Sequence, residues 1–212
     1  KHIMIKKYIS IFSAALLLCA GTVSCIGDLD VTPIDPTITL PDDVLDSEDA
    51  YASLLAKCYA GLTVSASEGP DGGADIDGNE DTTDEAVCPW NDQTLYNIHG
   101  LSWTTSDVFV TAMFSRIYYQ IGLCNEFLRR SKSSSFRDSQ TMKTYEAEAR
   151  ALRALSYLHA IDMFGNVPFA TEANSVGSTG PDRISRANLF KWLDKECDEM
   201  LAGSDLKEIG AN

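Results

Sequence analysis

The chain has 212 residues, with 31 Asp and Glu against 17 Lys and Arg, for a formal charge of −14. So acidic a surface repels nucleic acid and anionic lipid, and this excludes both as general partners. The length allows one good hydrophobic core, and the six cysteines contain no CxxC pair, which excludes the usual close-spaced metal framework.

Residues 1–24 read as a secretory signal. Lys6 and Lys7 precede an apolar run from Ile9 to Ala20, which falls short of the roughly 20 residues a membrane span needs. Met4 reads as the start of translation, with Lys1, His2 and Ile3 carrying no argument. Val23 and Ser24 stand directly before Cys25, the small-residue arrangement that a lipoprotein signal peptidase requires before a diacylglycerol is attached to the thiol. Cys25 is thus the expected lipidation site, although Thr22 stands where such signals usually carry Leu. The competing reading is an ordinary cleaved leader with Cys25 as a core thiol. Cleavage removes three lysines and no acid, so the mature charge becomes −17.

Residues 25–41 are polar and carry Pro33, Pro36 and Pro41, a composition that opposes helix and reads as an extended lipidated tether. The remainder, residues 42–212, reads as one helical domain or part of one. A first helix is capped by Ser47, has Glu48 and Asp49 in its first turn, and presents Leu54, Leu55, Cys58, Tyr59 and Leu62 as its buried stripe. Ser65 to Glu85 is too rich in Gly, Asp, Glu, Ser and Thr to pack, and is expected to be a long exposed loop. Asp75, Asp77 and Asn79 there imitate the first ligands of a calcium loop. Glu80 replaces the turn glycine, however, and Ala86 replaces the bidentate acid, so a solvated acidic loop is the better reading.

A second helix is expected from Ser106 to about Lys132, with Val110, Met113, Phe114, Ile117, Tyr118, Ile121, Cys124 and Leu128 facing inward. After a serine-rich turn the third runs from about Ser139 to Phe164, Ala-rich on its buried face and closed by Gly165 and Pro168. Glu146 and Arg150 are expected to form an exposed pair on it, while Arg150, Arg153 and Asn125 tie helices together. A fourth spans Ser185 to Leu201, with Leu189, Leu193, Cys197 and Met200 inward and Gly203 as its stop. Antiparallel helices rich in small residues predict an all-α, tetratricopeptide-like helical repeat scaffold with long irregular loops. Cys58, Cys88, Cys124 and Cys197 read first as small apolar residues and second as disulfide partners.

No catalytic constellation is visible, and the expectation is a protein that is not an enzyme and carries no cofactor or metal. The sequence lacks a Gly-rich phosphate loop and any His-x-x-x-His spacing, and His159 reads as a core histidine. Plentiful carboxylates in a polar loop are solvated and ionised, the opposite of the raised acid a glycosidase requires. Sugar binding asks for an exposed ring that stacks on a pyranose, flanked by hydrogen-bonding side chains. Val87 to Trp103 offers this combination in Trp90, Asn91, Asp92, Gln93, Tyr96 and Asn97. Trp90 reads equally as an anchor of the loop on the helices, Trp103 reads mainly as one, and Trp192 reads as helix packing.

Several segments, in order, resemble the SusD/RagB family of surface nutrient-binding lipoproteins. They are the cysteine at Cys25, the helix DSEDAYASLLAKCYAGL, the acidic TTDEA from Thr82 to Ala86, MFSRIYYQIGLCNEFL, EARALRALSY running into DMFGNVPF, and ISRANLFKWLDKECDEML. The resemblance implies a tetratricopeptide-like scaffold, binding of an oligosaccharide or other nutrient, and its delivery to a SusC-like TonB-dependent transporter. It also implies a lipid anchor in the outer membrane facing the cell exterior, for which Asp28 and Asp30 just after Cys25 are characteristic. Trp90, Asn91 and Asn97 fall in the region where aromatic and amide residues of starch-holding members bind glycan. Family members are about twice this long, so the sequence reads as an N-terminal, truncated part. The alternative function is a helical-repeat protein-interaction scaffold without a small ligand, for which Trp90 would be buried.

Overall fold

Helix-forming segments here are set by polar side chains at their starts and by which apolar residues share a face. The computed structural model describes residues 44–63, 82–174, 177 and 180–203. The leader, Cys25, the tether and the calcium-like positions Asp75 to Glu80 lie outside the described residues. From Leu45 onward the chain forms one unit with the following elements in order. These are α1 (Glu48–Thr63), α2 (Gln93–His99), α3 (Val108–Ser133), α4 (Gln140–Phe164), β1 (Val167–Pro168), β2 (Arg183–Ile184) and α5 (Arg186–Gly203).

The caps explain the boundaries. Ser47 Oγ accepts from the Ala50 amide at 3.3 Å and Ser139 Oγ from the Met142 amide at 3.1 Å, so α1 and α4 begin where the sequence places them. α3 starts two residues later than expected because Asp107, and not a serine, accepts the Phe109 amide at 3.1 Å. At the other end of α4, Gly165 takes φ 69°, a left-handed conformation that suits a residue without Cβ, and its amide bonds Ile161 O.

α3, α4 and α5 form an antiparallel series, with α1 laid against α3 and α4. Ser131 bonds Glu146, Asn125 bonds Arg153, and Phe114 packs on Phe164, so α3 numbers fall as α4 numbers rise. The same opposition holds between α4 and α5, through Arg150 with Glu199 and Tyr157 with Trp192, and between α1 and α3, through Tyr51 with Phe127 and Cys58 with Gln120. This is the helical-hairpin packing of the tetratricopeptide-like scaffold.

Two clusters make the core. One joins Tyr51, Leu55, Cys58 and Leu62 of α1 to Cys124, Phe127 and Leu128 of α3 and to Ala149 and Leu152 of α4. The other joins Met113, Ile117 and Ile121 of α3 to Tyr157, Ala160 and Ile161 of α4, Val167, and Leu189 and Leu193 of α5. After Gly165 the chain turns into a two-residue antiparallel pair, Val167 opposite Ile184 and Pro168 opposite Arg183. Strands this short leave no alternation in the sequence. Tyr157 pins this exit, its hydroxyl donating to Ala170 O at 2.7 Å and accepting from Ala170 N at 2.8 Å. Phe169 is thereby set against Tyr157 and Trp192, which confirms Trp192 as packing.

Four expectations are corrected. Tyr59 is 46% exposed and not part of the α1 stripe. It sits one position, about 100° of helix, past buried Cys58, and its hydroxyl donates to Glu148 at 2.8 Å instead. Tyr51, one turn before Leu55, takes the place in the stripe. Cys197 is exposed, because the inward positions of α5 step from Leu189 to Leu193, Glu196 and Met200, and Glu196 faces two arginines of α4. Arg150 does not pair with Glu146: it reaches Glu196 at 2.9 Å and Glu199 at 2.8 Å on α5, while Glu146 accepts from Ser131 at 2.6 Å. Phe114 sits at the rim of the core, 36% exposed, against Tyr118 and Phe164.

Candidate functional site

The segment before α3 contains a short helix, α2, that is not among the four helices expected from the sequence. Asp92 caps it by accepting the Thr94 amide at 2.8 Å, and Leu95 and Ile98, three apart, bury one side. Both signals are present in the sequence, but seven residues are too few for periodicity to stand out. With Leu95 and Ile98 directed inward, the intervening Tyr96 is directed outward, 52% exposed.

Around Tyr96 the segment gathers polar groups. Its hydroxyl donates to Asn91 Oδ1 at 3.2 Å, and Gln93 Nε2 donates to Asn97 Oδ1 at 3.0 Å, one helical turn apart. Trp90 lies just upstream, 70% exposed, with its carbonyl accepting from the Asp92 amide at 2.9 Å. The four residues singled out by sequence thus share one short segment. Asn91 and Tyr96 touch, Trp90 presents its ring to solvent, and Asn97 is half-buried against Gln93. Such a surface offers a planar apolar face next to amide and hydroxyl groups, the combination that can hold a pyranose by stacking and hydrogen bonding.

Trp103 does not act as a fully seated anchor. It is 43% exposed and lines a cleft of about 670 Å³ with Ile98, Phe109, Met113, Asp162 and Phe164. This cleft leaves no mark in the sequence, because its walls come from α2, α3, the residues between them and the end of α4. None of Trp90, Asn91, Tyr96 or Asn97 lines it.

Charge is organised elsewhere, behind α4. Arg153, 2% exposed, donates to Asn125 Oδ1 at 2.9 Å and to Glu172 Oε2 at 2.5 Å, approaches Glu196 at 3.4 Å, and lies 5.3 Å from the Trp192 ring centre. Burial raises the Glu172 carboxyl, but hydrogen bonds from Lys132 and Arg153 outweigh it and hold the group at about 2. Asn125 also donates to Ala170 O at 3.1 Å, so this group fastens α3, α4, α5 and the chain after β1. The expected role of Arg150, Arg153 and Asn125 as ties between helices is the one the contacts describe. Among the described residues no helix is long and apolar enough to cross a membrane.

The chain is 35% identical over 92% of its length to the starch-binding protein SusD of Bacteroides thetaiotaomicron. Its fold is similar to that of a SusD-like carbohydrate-binding protein from Bacteroides fragilis, with a TM-score of 0.63 at 23% identity over 78% of this chain and 33% of that one. It is similar also to surface glycan-binding protein A from Bacteroides uniformis, with a TM-score of 0.64 at 20% identity over 75% of this chain and 35% of that one. No protein-family model matches the chain. It spans 37% of the length of the curated relative it matches. The sequence match over most of the chain and the shared helical fold agree, and both make the chain similar to SusD-like proteins.

Proposed function

We propose that this chain is a non-catalytic, glycan-binding part of a cell-surface lipoprotein, with Trp90, Asn91, Tyr96 and Asn97 as its carbohydrate contacts. The observation that carries the reading is the exposure of Trp90 beside the Tyr96–Asn91 pair, in a chain whose relatives are named for binding starch and surface glycans. A starch-type α-glucan is the first ligand class to test, since that is what the 35% identical relative is named for. The charge of −17 after cleavage opposes anionic polysaccharides, which favours neutral ones. A scaffold that binds only protein would bury Trp90, and its exposure weighs against that alternative.

In this reading Cys25 carries the lipid, the outer membrane holds the protein facing the exterior, and captured glycan passes to a SusC-like TonB-dependent transporter. Val23 and Ser24 before Cys25, and the acids Asp28 and Asp30 after it, support the anchor. Affinity electrophoresis through gels containing starch, glycogen or dextran tests the binding. Retardation of the chain in starch gels, lost in Trp90→Ala, is the expected result. Equal mobility with and without every polysaccharide would overturn the reading. The anchor is tested separately: Cys25→Ala should move the protein from the membrane to the soluble fraction.

A further inference from the structure

The cleft beside Trp103 has a volume of about 670 Å³, within the range that holds a small organic ligand. Buried Ile98 of α2 and Met113 of α3 line it, and Trp103, Phe109 and Phe164 supply its aromatic residues. The turn that carries Trp103 is fixed by its backbone. Leu101 takes φ 52°, an uncommon value for a residue with a side chain, and the Leu101 and Ser102 amides donate to Ile98 O at 3.0 Å and to Asn97 O at 2.8 Å. Phe164 is set by an edge contact with Phe114, the ring centres 5.3 Å apart and the planes at 88°. The aromatic residues are thus placed by the fold itself, and Trp103 keeps 43% of its surface open.

One charge belongs to this cleft. Among the described residues that line it Asp162 alone is charged, and its carboxylate makes no hydrogen bond or ion pair with another described residue. Glu172 and Glu196, by contrast, are each met by an arginine. An acid left open among aromatic residues is complementary to a cation with an apolar body. The rings take the body and attract positive charge to their faces, while the carboxylate takes the ammonium N–H groups. Exposed Thr105, on the same lining, adds a hydroxyl acceptor. A neutral ligand can hydrogen-bond the carboxylate but leaves its charge uncompensated, and an anion is repelled by it and by the formal charge of −14. We propose that the Trp103 cleft is a binding site for an arylalkyl ammonium ion, its aryl body against Trp103 and Ile98 and its ammonium paired with Asp162. None of the four candidate carbohydrate contacts lines the cleft, so this site does not rest on the glycan reading.

Three probes that share one aromatic body and differ in charge test the site: naphthylethylamine, naphthylethanol and naphthylacetate. Each is titrated with the full chain at neutral pH, where the amine is a cation, and followed by ligand-observed NMR. The amine should bind saturably and about fivefold or more tighter than the alcohol, with the acetate weakest. In Asp162→Asn the advantage of the amine over the alcohol should vanish. This exposed, isosteric change should leave the melting temperature at the parent value. In Trp103→Ala the amine should bind about fivefold or more weakly. Absence of saturable amine binding, equal affinity for amine and alcohol, or a preference for the amine that survives Asp162→Asn would each overturn the proposal, as would amine binding unchanged in Trp103→Ala.

Discussion

Arg153 shows how a single side chain is committed at this scale. Its guanidinium is out of water and faces Glu172, Glu196, Asn125 and the Trp192 ring, so removing it leaves desolvated carboxylates with fewer donors. Arg153→Ala should cost about 3 kcal/mol of stability by denaturant titration, while glycan affinity per folded molecule is unchanged. A fall in affinity at constant stability would instead put Arg153 in the binding surface. Glu172 adds a pH dependence. Its folded value, about 2, lies below the ordinary 4.5, so its contribution is fully present above about pH 4.5 and is lost as pH falls toward 2. Discounting for the exposed Lys132 partner leaves an effect of about 2 kcal/mol, and Glu172→Gln should flatten that acid limb in melts between pH 5 and pH 2. The residues that carry this lock were legible only as types. Arg153 and Asn125 could be assigned to tie helices together from their places on helices, but Glu172 and Glu196 are distant in sequence and found only by folding.

Elements were legible where caps and periodicity agree. α4 could be read nearly to the residue, from Ser139 to the Gly165 stop, because its cap, its Ala-rich stripe and its left-handed glycine each leave a mark in the sequence. α5 could be placed but not oriented: an apolar count put Cys197 inside, whereas the charge of Arg150 and Arg153 draws Glu196 to that face. α2 was missed because it is shorter than two full helical turns, and β1 and β2 because two residues cannot alternate. The close approach of α1 to α3 turns on Gly61, where a Cβ would meet Gln120 Oε1 at 2.0 Å, and nothing in its sequence context marks it. Gly61→Ala should therefore destabilise the chain by about 1–3 kcal/mol, in place of the roughly 1 kcal/mol that replacing a helical glycine gains at an unobstructed site, because buried Gln120 is held by Cys58 O and has little room to yield. Equal thermal midpoints for Gly61→Ala and the parent would show that α1 docks less closely than described.

For the whole molecule, the antiparallel series of helices was foreseen from length, composition and helix spacing, and the similarity to SusD-like proteins from the order of its segments. The candidate surface was legible as a region, since Trp90, Asn91, Tyr96 and Asn97 stand out by residue type and lie on one segment. The cleft beside Trp103 was not, because its walls are brought together from separate helices. For a chain spanning 37% of its relative, the central question is whether the Trp90 surface holds sugar. The most direct measurement is isothermal titration of a maltooligosaccharide into the full chain and into Trp90→Ala. Saturable binding to the parent, weakened at least about tenfold in the variant with its melting temperature unchanged, is the predicted result. Binding of equal strength in both would contradict the assignment of Trp90 and turn attention to the Trp103 cleft.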